Sequence, residues 1–160
     1  MRITHTSRHT ATPDEVVEAL CSEAYNLEVE RGREGVVETR FEPIAEDESR
    51  RAFRLVTTEY ARTKTGGLDR NRTLSSTTDS KLDASKRELT WRYASKEGSR
   101  VRLSGALRVI PDGTGTRVEQ SVDIDVSIPF IGGQIAKMIG KEFDKTFPKT
   151  VDILNRHLGN

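Results

Sequence analysis

The feature that most constrains this chain is a change of hydrophobic period. From Val36 to Val126 apolar and polar residues alternate in steps of two, and after Pro129 the period becomes that of a helix. Val37, Thr39 and Phe41 alternate with Glu38, Arg40 and Glu42, and beyond a charged Ala45 to Ser49 turn Phe53, Leu55 and Thr57 alternate with Arg54, Val56 and Thr58. A loop at Thr63 to Asp69 with Gly66 and Gly67 precedes a Ser/Thr-rich strand, Arg72 to Leu82, then an apolar row Leu89, Trp91 and Tyr93 and a turn at Lys96, Glu97 and Gly98. Val101, Leu103, Gly105, Leu107 and Val109 form the clearest half-buried strand, and after the turn at Pro111 to Gly115 the residues Val118, Gln120, Val122, Ile124 and Val126 answer it. The last segment places Ile131, Ile135, Met138, Ile139, Phe143, Phe147, Val151, Leu154 and Leu158 on one stripe, with Lys137, Lys141, Lys145 and Lys149 away from its centre. Phe143 and Phe147 are the expected anchors of this helix in the core. Pro148 removes a backbone donor, so a bend is expected there.

Ahead of the sheet, Arg2 to Thr10 reads as a strand with Ile3, His5, Ser7 and His9 on one face. Thr12, Pro13 and Glu15 then write a helix start: a capping hydroxyl, a proline suited to the first turn, and a carboxylate three residues on. Val16, Val17, Ala19 and Leu20 give that helix a short apolar face, and Ser22 caps a second one that stops near Gly32 or Gly35. The order is strand, two short helices, about six antiparallel strands, and a long helix over Pro129 to Leu158. Helices gathered on one face of an antiparallel sheet make an α+β layer fold. The 160 residues suit one domain over 1–160, and neither repeat nor low-complexity linker divides them.

The charge inventory restricts partners. With 26 basic and 25 acidic residues the chain has little long-range attraction for nucleic acid, and no nucleic-acid partner is expected. No apolar run is long enough for stable membrane insertion, and the opening MRITHTSRHT lacks a signal peptide's apolar stretch, so a cytoplasmic protein is expected. Charge is uneven: 12 acidic residues lie between Asp14 and Glu48, and 16 basic residues between Ser49 and Arg117. Arg62, Lys64, Arg70 and Arg72 around the Gly66-Gly67 loop would suit weak contact with a phosphate or anionic headgroup.

Catalytic signals are thin. His5 and His9 share a strand face without an acidic residue at useful spacing to orient them, and His157 falls where a cation favours a helix C-terminus. The single Cys21 has no histidine partner in view and reads as a buried thiol. Glu28, Glu30, Glu34, Glu38 and Glu42 alternate across a helix end and a strand, which predicts solvent exposure and no metal site. Gly66-Gly67 and Gly132-Gly133 lack the surrounding pattern of a phosphate or dinucleotide loop, so no cofactor is expected.

The Ser127-Ile128-Pro129-Phe130-Ile131-Gly132-Gly133 entrance to the last helix, the Leu89 to Tyr93 segment and Thr12-Pro13-Asp14-Glu15-Val16 resemble the START-like (SRPBCC, helix-grip) superfamily, and within it an uncharacterised bacterial family. That superfamily includes polyketide cyclases, plant hormone receptors and lipid-transfer domains. The resemblance implies a curved sheet of six or seven strands gripping the C-terminal helix, with a cavity between them for an apolar or amphipathic molecule. Phe41, Phe53, Leu55, Trp91, Tyr93, Leu103 and Val122 would face Ile131, Ile135, Met138 and Ile139 across it, with Thr57, Tyr93 and Gln120 as orienting polar groups. Gly105 and Gly133 would leave room in it. The expected partner is a hydrophobic small molecule or lipid; an enzyme of cyclase or hydrolase type and a ligand-free interaction module are the alternatives.

Overall fold

In the computed structural model, which describes residues 1–46, 50–96 and 100–160, seven strands form one antiparallel sheet. In chain order the elements are β1 (Arg2–His9), α1 (Pro13–Cys21), α2 (Glu23–Arg31), β2 (Val36–Glu46), β3 (Arg50–Arg62), β4 (Leu68–Asp83), β5 (Glu88–Ser95), β6 (Val101–Asp112), β7 (Gly115–Val126) and α3 (Gly132–His157). The sheet order is β1-β7-β6-β5-β4-β3-β2, so each hairpin partner is a neighbour and β1 closes the far edge against β7. Ala45 belongs to β2 rather than to a turn, while Asp47 to Ser49 and the Glu97-Gly98 part of the other expected turn lie outside the described residues.

The helix starts follow from local chemistry. Thr12 Oγ1 accepts from the Glu15 amide at 3.3 Å and Glu15 Oε2 accepts from the Thr12 amide at 2.8 Å, a complete capping box. Ser22 ends α1 and caps α2 in one step, its hydroxyl accepting from the Tyr25 amide at 3.3 Å. At the other end of α2, Lys149 Nζ donates to the Gly32 carbonyl at 3.0 Å, placing a cation on that helix's negative terminus.

The C-terminal helix departs from expectation in two ways. It begins at Gly132 rather than Pro129, because Phe130 takes a left-handed conformation at φ 67° that breaks the helical path. As expected it is a single element with Pro148 inside it, and it ends at His157. The face it buries in its first half is Gly132, Ala136 and Gly140, not the row of large residues beside them. A Cβ on Gly132 would sit 2.7 Å from the Val126 carbonyl oxygen, so the missing side chain is what lets α3 approach β7 so closely. Large neighbours are then splayed to either side: Ile135 and Ile139 are half-buried, whereas Ile131 and Met138 are 49% and 64% exposed and do not face the sheet.

Buried apolar residues fall into two groups. One joins α1 and α2 to the sheet and the end of α3 through Val16, Leu20, Tyr25, Phe53, Leu82, Leu89, Val109, Val118, Ile153 and Leu154. The other sets Val122, Ile124 and Ala136 against Ile3, Trp91, Leu103, Ile139 and Phe143. Phe143 and Phe147 are both half-buried rather than enclosed.

Candidate functional site

Strand register puts a polar band on the inner face of the sheet. Thr39, Thr57, Ser76 and Ser95 stand opposite one another in one row across β2 to β5, and the next row runs Phe41, Leu55, Thr78, Tyr93, Leu103, Ile124. A third row runs Phe53, Ser80, Trp91, Gly105, Val122, Ile3. Thr39, Thr57, Ser76 and Ser80 are buried, and Thr78 is half-buried. On β4, next to the central strand β5, every inward position from Ser76 to Ser80 therefore carries a short polar side chain.

The polar band ends in a charged cluster supplied by α2, the segment after it and β3. Arg33 donates from Nη1 to Glu30 Oε2 at 2.8 Å and from Nη2 to Glu59 Oε2 at 3.1 Å. Thr57 Oγ1 donates to the same Glu30 oxygen at 3.1 Å, which leaves Thr39 as the donor in the 3.2 Å contact between the two threonine hydroxyls. Glu30 is thus part of a half-buried network, where alternation had placed it in solvent. Burial works against the Arg33 charge, but the two carboxylates and the Tyr93 oxygen more than offset it and hold the guanidinium above its ordinary value. Tyr93 ends this network. Burial raises its hydroxyl above the usual phenol range and Glu59 adds to that, against hydrogen bonds from Ser76 and Ser95 and the nearby Arg33.

The apolar side of the site is built by Trp91, Leu103, Ile139 and Phe143, with the Trp91 and Phe143 rings stacked at 6.2 Å. The room expected at Gly105 is taken by the indole: a Cβ there would lie 2.7 Å from Trp91 Cε2 and Cζ2. Of the residues expected to line a cavity, Phe41, Trp91, Tyr93, Leu103, Gln120, Ile135 and Ile139 are half-buried, and Phe53, Leu55, Thr57 and Val122 are buried. Phe41 and Phe53 stack on each other at 5.0 Å within the α1 and α2 packing, away from the helix front. Two open surface cavities lie elsewhere. One, of 540 Å³, runs between α2 and α3 past Leu27, Glu28, Arg31, Lys149 and His157; the other, of 280 Å³, adjoins His9 and Thr116.

The histidines all have partners that spacing did not reveal. His5 Nε2 meets Asp144 Oδ1 at 2.8 Å, its ring stacks on Phe147 at 4.3 Å, and its Nδ1 is buried with no hydrogen-bond partner among the described residues. The carboxylate comes from α3, a sequence separation of 139 residues, so only the packing of the helix on β1 brings it there. His9 bridges Ser7 and Asn155 at 2.7 Å each. His157 and Arg156 both bond Glu28 at 2.6 Å, and these contacts, the histidine's first, hold that carboxyl below its ordinary value. Cys21 is buried beside Leu20, and desolvation pushes its thiol up to about 11, against the partial relief of Arg51. Among the described residues no three His, Cys, Asp or Glu side chains converge as a metal site.

A curved antiparallel sheet closed by a long C-terminal helix, with two short helices after the first strand, defines a helix-grip protein. Solved structures share it along the whole chain. TTHA0849 from Thermus thermophilus is 18% identical, with 98% of this chain and 96% of that one covered and a TM-score of 0.65. The Zhui aromatase/cyclase from Streptomyces sp. R1128 is 16% identical over 98% of this chain and 93% of that one, with a TM-score of 0.64. Norcoclaurine synthase from Thalictrum flavum, in complex with dopamine and hydroxybenzaldehyde, is 14% identical over 99% and 86%, with a TM-score of 0.61. Residues 4–158 match the family described as protein of unknown function (DUF2505), and the chain belongs to that family. No curated protein matches it.

Proposed function

We propose that this protein binds a hydrophobic or amphipathic small molecule on the inner face of its sheet, between β3 to β6 and the first half of α3. The observation that carries the reading is the run of short polar side chains, Ser76, Thr78 and Ser80, next to the central strand of that face, set between two separate apolar clusters. A core selected only for stability fills such positions with large apolar groups in one contiguous cluster. An apolar ligand body would lie against Trp91, Leu103, Ile139 and Phe143, while its polar end meets the Tyr93 hydroxyl and the Arg33 network. The likeness to a solved aromatase/cyclase and to a synthase holding small aromatic molecules supports this placement by analogy of fold.

Native mass spectrometry of the chain after incubation with fatty acids, sterols and polycyclic aromatics tests it. Thr78→Phe would fill the polar band from the sheet side and should abolish occupancy in a folded protein. Equal occupancy in both proteins would reject the assignment. A second reading, an enzyme of cyclase or hydrolase type using the same face, draws on His5: its contact with Asp144 sets one ring nitrogen and leaves the other, buried, free to exchange a proton with a bound molecule.

A further inference from the structure

Phe130 is the most exposed large apolar residue among those described, at 104% of its reference area, and it sits at φ 67°. A bulky residue rarely adopts that conformation, and here it directs the ring out of the molecule rather than into it. Ile131 follows at 49% exposure, and Met138 lies about two helical turns further along on the same side at 64%. Of the remaining exposed large hydrophobics, Val37 and Ile44 lie seven residues apart on β2 and Met1 precedes β1, its side chain against Gly140. Scattered apolar residues are ordinary, but three within nine positions at one helix end are a patch.

Charge around the patch is predominantly basic, its acidic neighbours being the exposed Glu142 that follows Lys141 and Asp125, which faces Arg102. Residues 127–141 contain Lys137 and Lys141, both exposed, and no acidic residue. The Ser127 amide donates to the Arg100 carbonyl at 2.7 Å, so the exposed, basic start of β6 adjoins the turn. No side chain caps the N-terminus of α3 and no acidic residue stands in its first turn, which leaves that end of the helix dipole positive.

We propose that the Pro129 to Ile131 turn, with Met138, Lys137 and Lys141, is a docking surface for an anionic lipid bilayer. A protruding ring on a convex turn fits a fluid, deformable layer that closes around it, whereas a protein partner would have to present a pocket of matching depth. Phe130, Ile131 and Met138 enter the interfacial zone and the lysines meet lipid phosphates, the division of labour of a peripheral membrane contact. No described helix is long and apolar enough to cross a membrane, so the contact is superficial. The proposal does not depend on what the inner face of the sheet binds.

Co-sedimentation with vesicles of phosphatidylcholine containing about one-third phosphatidylglycerol, compared with phosphatidylcholine alone, tests it. The native chain should bind the anionic vesicles at least about tenfold more tightly, with the difference lost in high salt. Phe130→Asn, which keeps a residue tolerant of the left-handed conformation, should weaken binding roughly tenfold without altering the circular dichroism spectrum. Lys137→Gln with Lys141→Gln should weaken it about twenty-fivefold, each lysine accounting for about fivefold. The proposal is overturned if the native chain fails to pellet or pellets equally with neutral vesicles, or if Phe130→Asn pellets like the native protein. It is equally overturned if sedimentation velocity shows a native dimer that Phe130→Asn makes monomeric with no change in vesicle binding, which would assign the patch to a second copy of the chain.

Discussion

Replacing Gly105 by alanine tests the packing at the centre of the candidate site. Gly105 on β6 stands between Trp91 on β5 and Val122 on β7. An added Cβ would collide with the Ser121 carbonyl oxygen and lie 2.7 Å from two indole carbons. Carbon atoms in contact settle at about 3.5 to 4.0 Å, so the methyl overlaps its neighbours by roughly 1 Å. The carbonyl belongs to the adjoining strand and cannot retreat without disturbing the β6–β7 ladder. The indole can rotate only by leaving its stack on Phe143. Overpacking of this kind costs about 1 to 3 kcal/mol, partly offset by the roughly 0.5 to 1 kcal/mol that alanine regains over glycine in an extended segment. The difference spans about 0 to 2.5 kcal/mol, and because one overlapped atom is backbone the expected loss lies in its upper part, about 1 to 2.5 kcal/mol or roughly 2 to 10 °C in Tm for a domain of this size. Trp91 is the chain's one tryptophan, so urea unfolding followed by its emission reports both the stability and the local displacement. A variant that melts within about 1 °C of the native protein with unchanged native emission would show that Gly105 does not face the indole.

Gly140→Ala should have the opposite sign, because the atom its Cβ would meet is the terminal methyl of Met1, a flexible side chain, and alanine stabilises a helix interior by up to about 1 kcal/mol over glycine; thermal melting decides it. Cys21, with its thiol pushed from 9.0 up to about 11, should react with Ellman's reagent at mildly alkaline pH at least roughly a hundredfold more slowly in the native protein than in urea, and comparable rates would place it outside the core. Glu28 is a depressed carboxyl, so the clamp it makes with Arg156 and His157 is fully present above its ordinary value of 4.5 and is lost as pH falls through the lower folded-state value; native and Glu28→Gln melting curves should converge only in acid below 4.5. Folded His5→Ala should retain binding of any apolar ligand, and a hundredfold fall in a reproducible turnover assay would instead make the enzyme the better reading.

Strand and helix order were legible because each element carries its own signal. The Thr12 to Glu15 capping box, the alternation from Val101 to Val109 and the helical period after Pro129 are local patterns, and local patterns survive in a single sequence. The inner rows of the sheet were legible for the same reason, since parity along a strand fixes which residues share a face. What parity does not convey is how closely the helix approaches. Counting large side chains placed the axis of α3's buried face through Ile131, Ile135 and Met138, while the buried face follows Gly132, Ala136 and Gly140, where absent side chains let two backbones come together. A stripe of small residues at four-residue spacing was the available signal, outweighed by the larger residues that flank it.

In the candidate site Trp91, Leu103, Ile139, Thr57 and Tyr93 were legible in the sequence, whereas the other polar groups were not, and the physical cause differs for each. On β4 both faces are rich in Ser and Thr, so alternation carries no contrast and the inward set Ser76, Thr78, Ser80 cannot be told from its neighbours without register. Glu30 sits in a run of acids whose spacing reads as solvated surface, yet the turn after α2 swings Arg33 between it and Glu59. His5 finds its carboxylate on an element 139 residues away. Each is a product of tertiary juxtaposition, which is how a helix-grip scaffold acquires a site: the frame is written locally, and the chemistry is assembled where the sheet's curvature, the α2 terminus and α3 converge. If the band functions as proposed, its polar members can change without loss of fold, so Ser76→Ala and Ser80→Ala should leave Tm within about 2 °C of the native value. Replacement of Phe53 or Leu89, in the cluster that joins α1 and α2 to the sheet, should cost about 2 to 5 kcal/mol. Serine variants as damaging as the cluster variants would make the band a structural network and remove the ground for a ligand there.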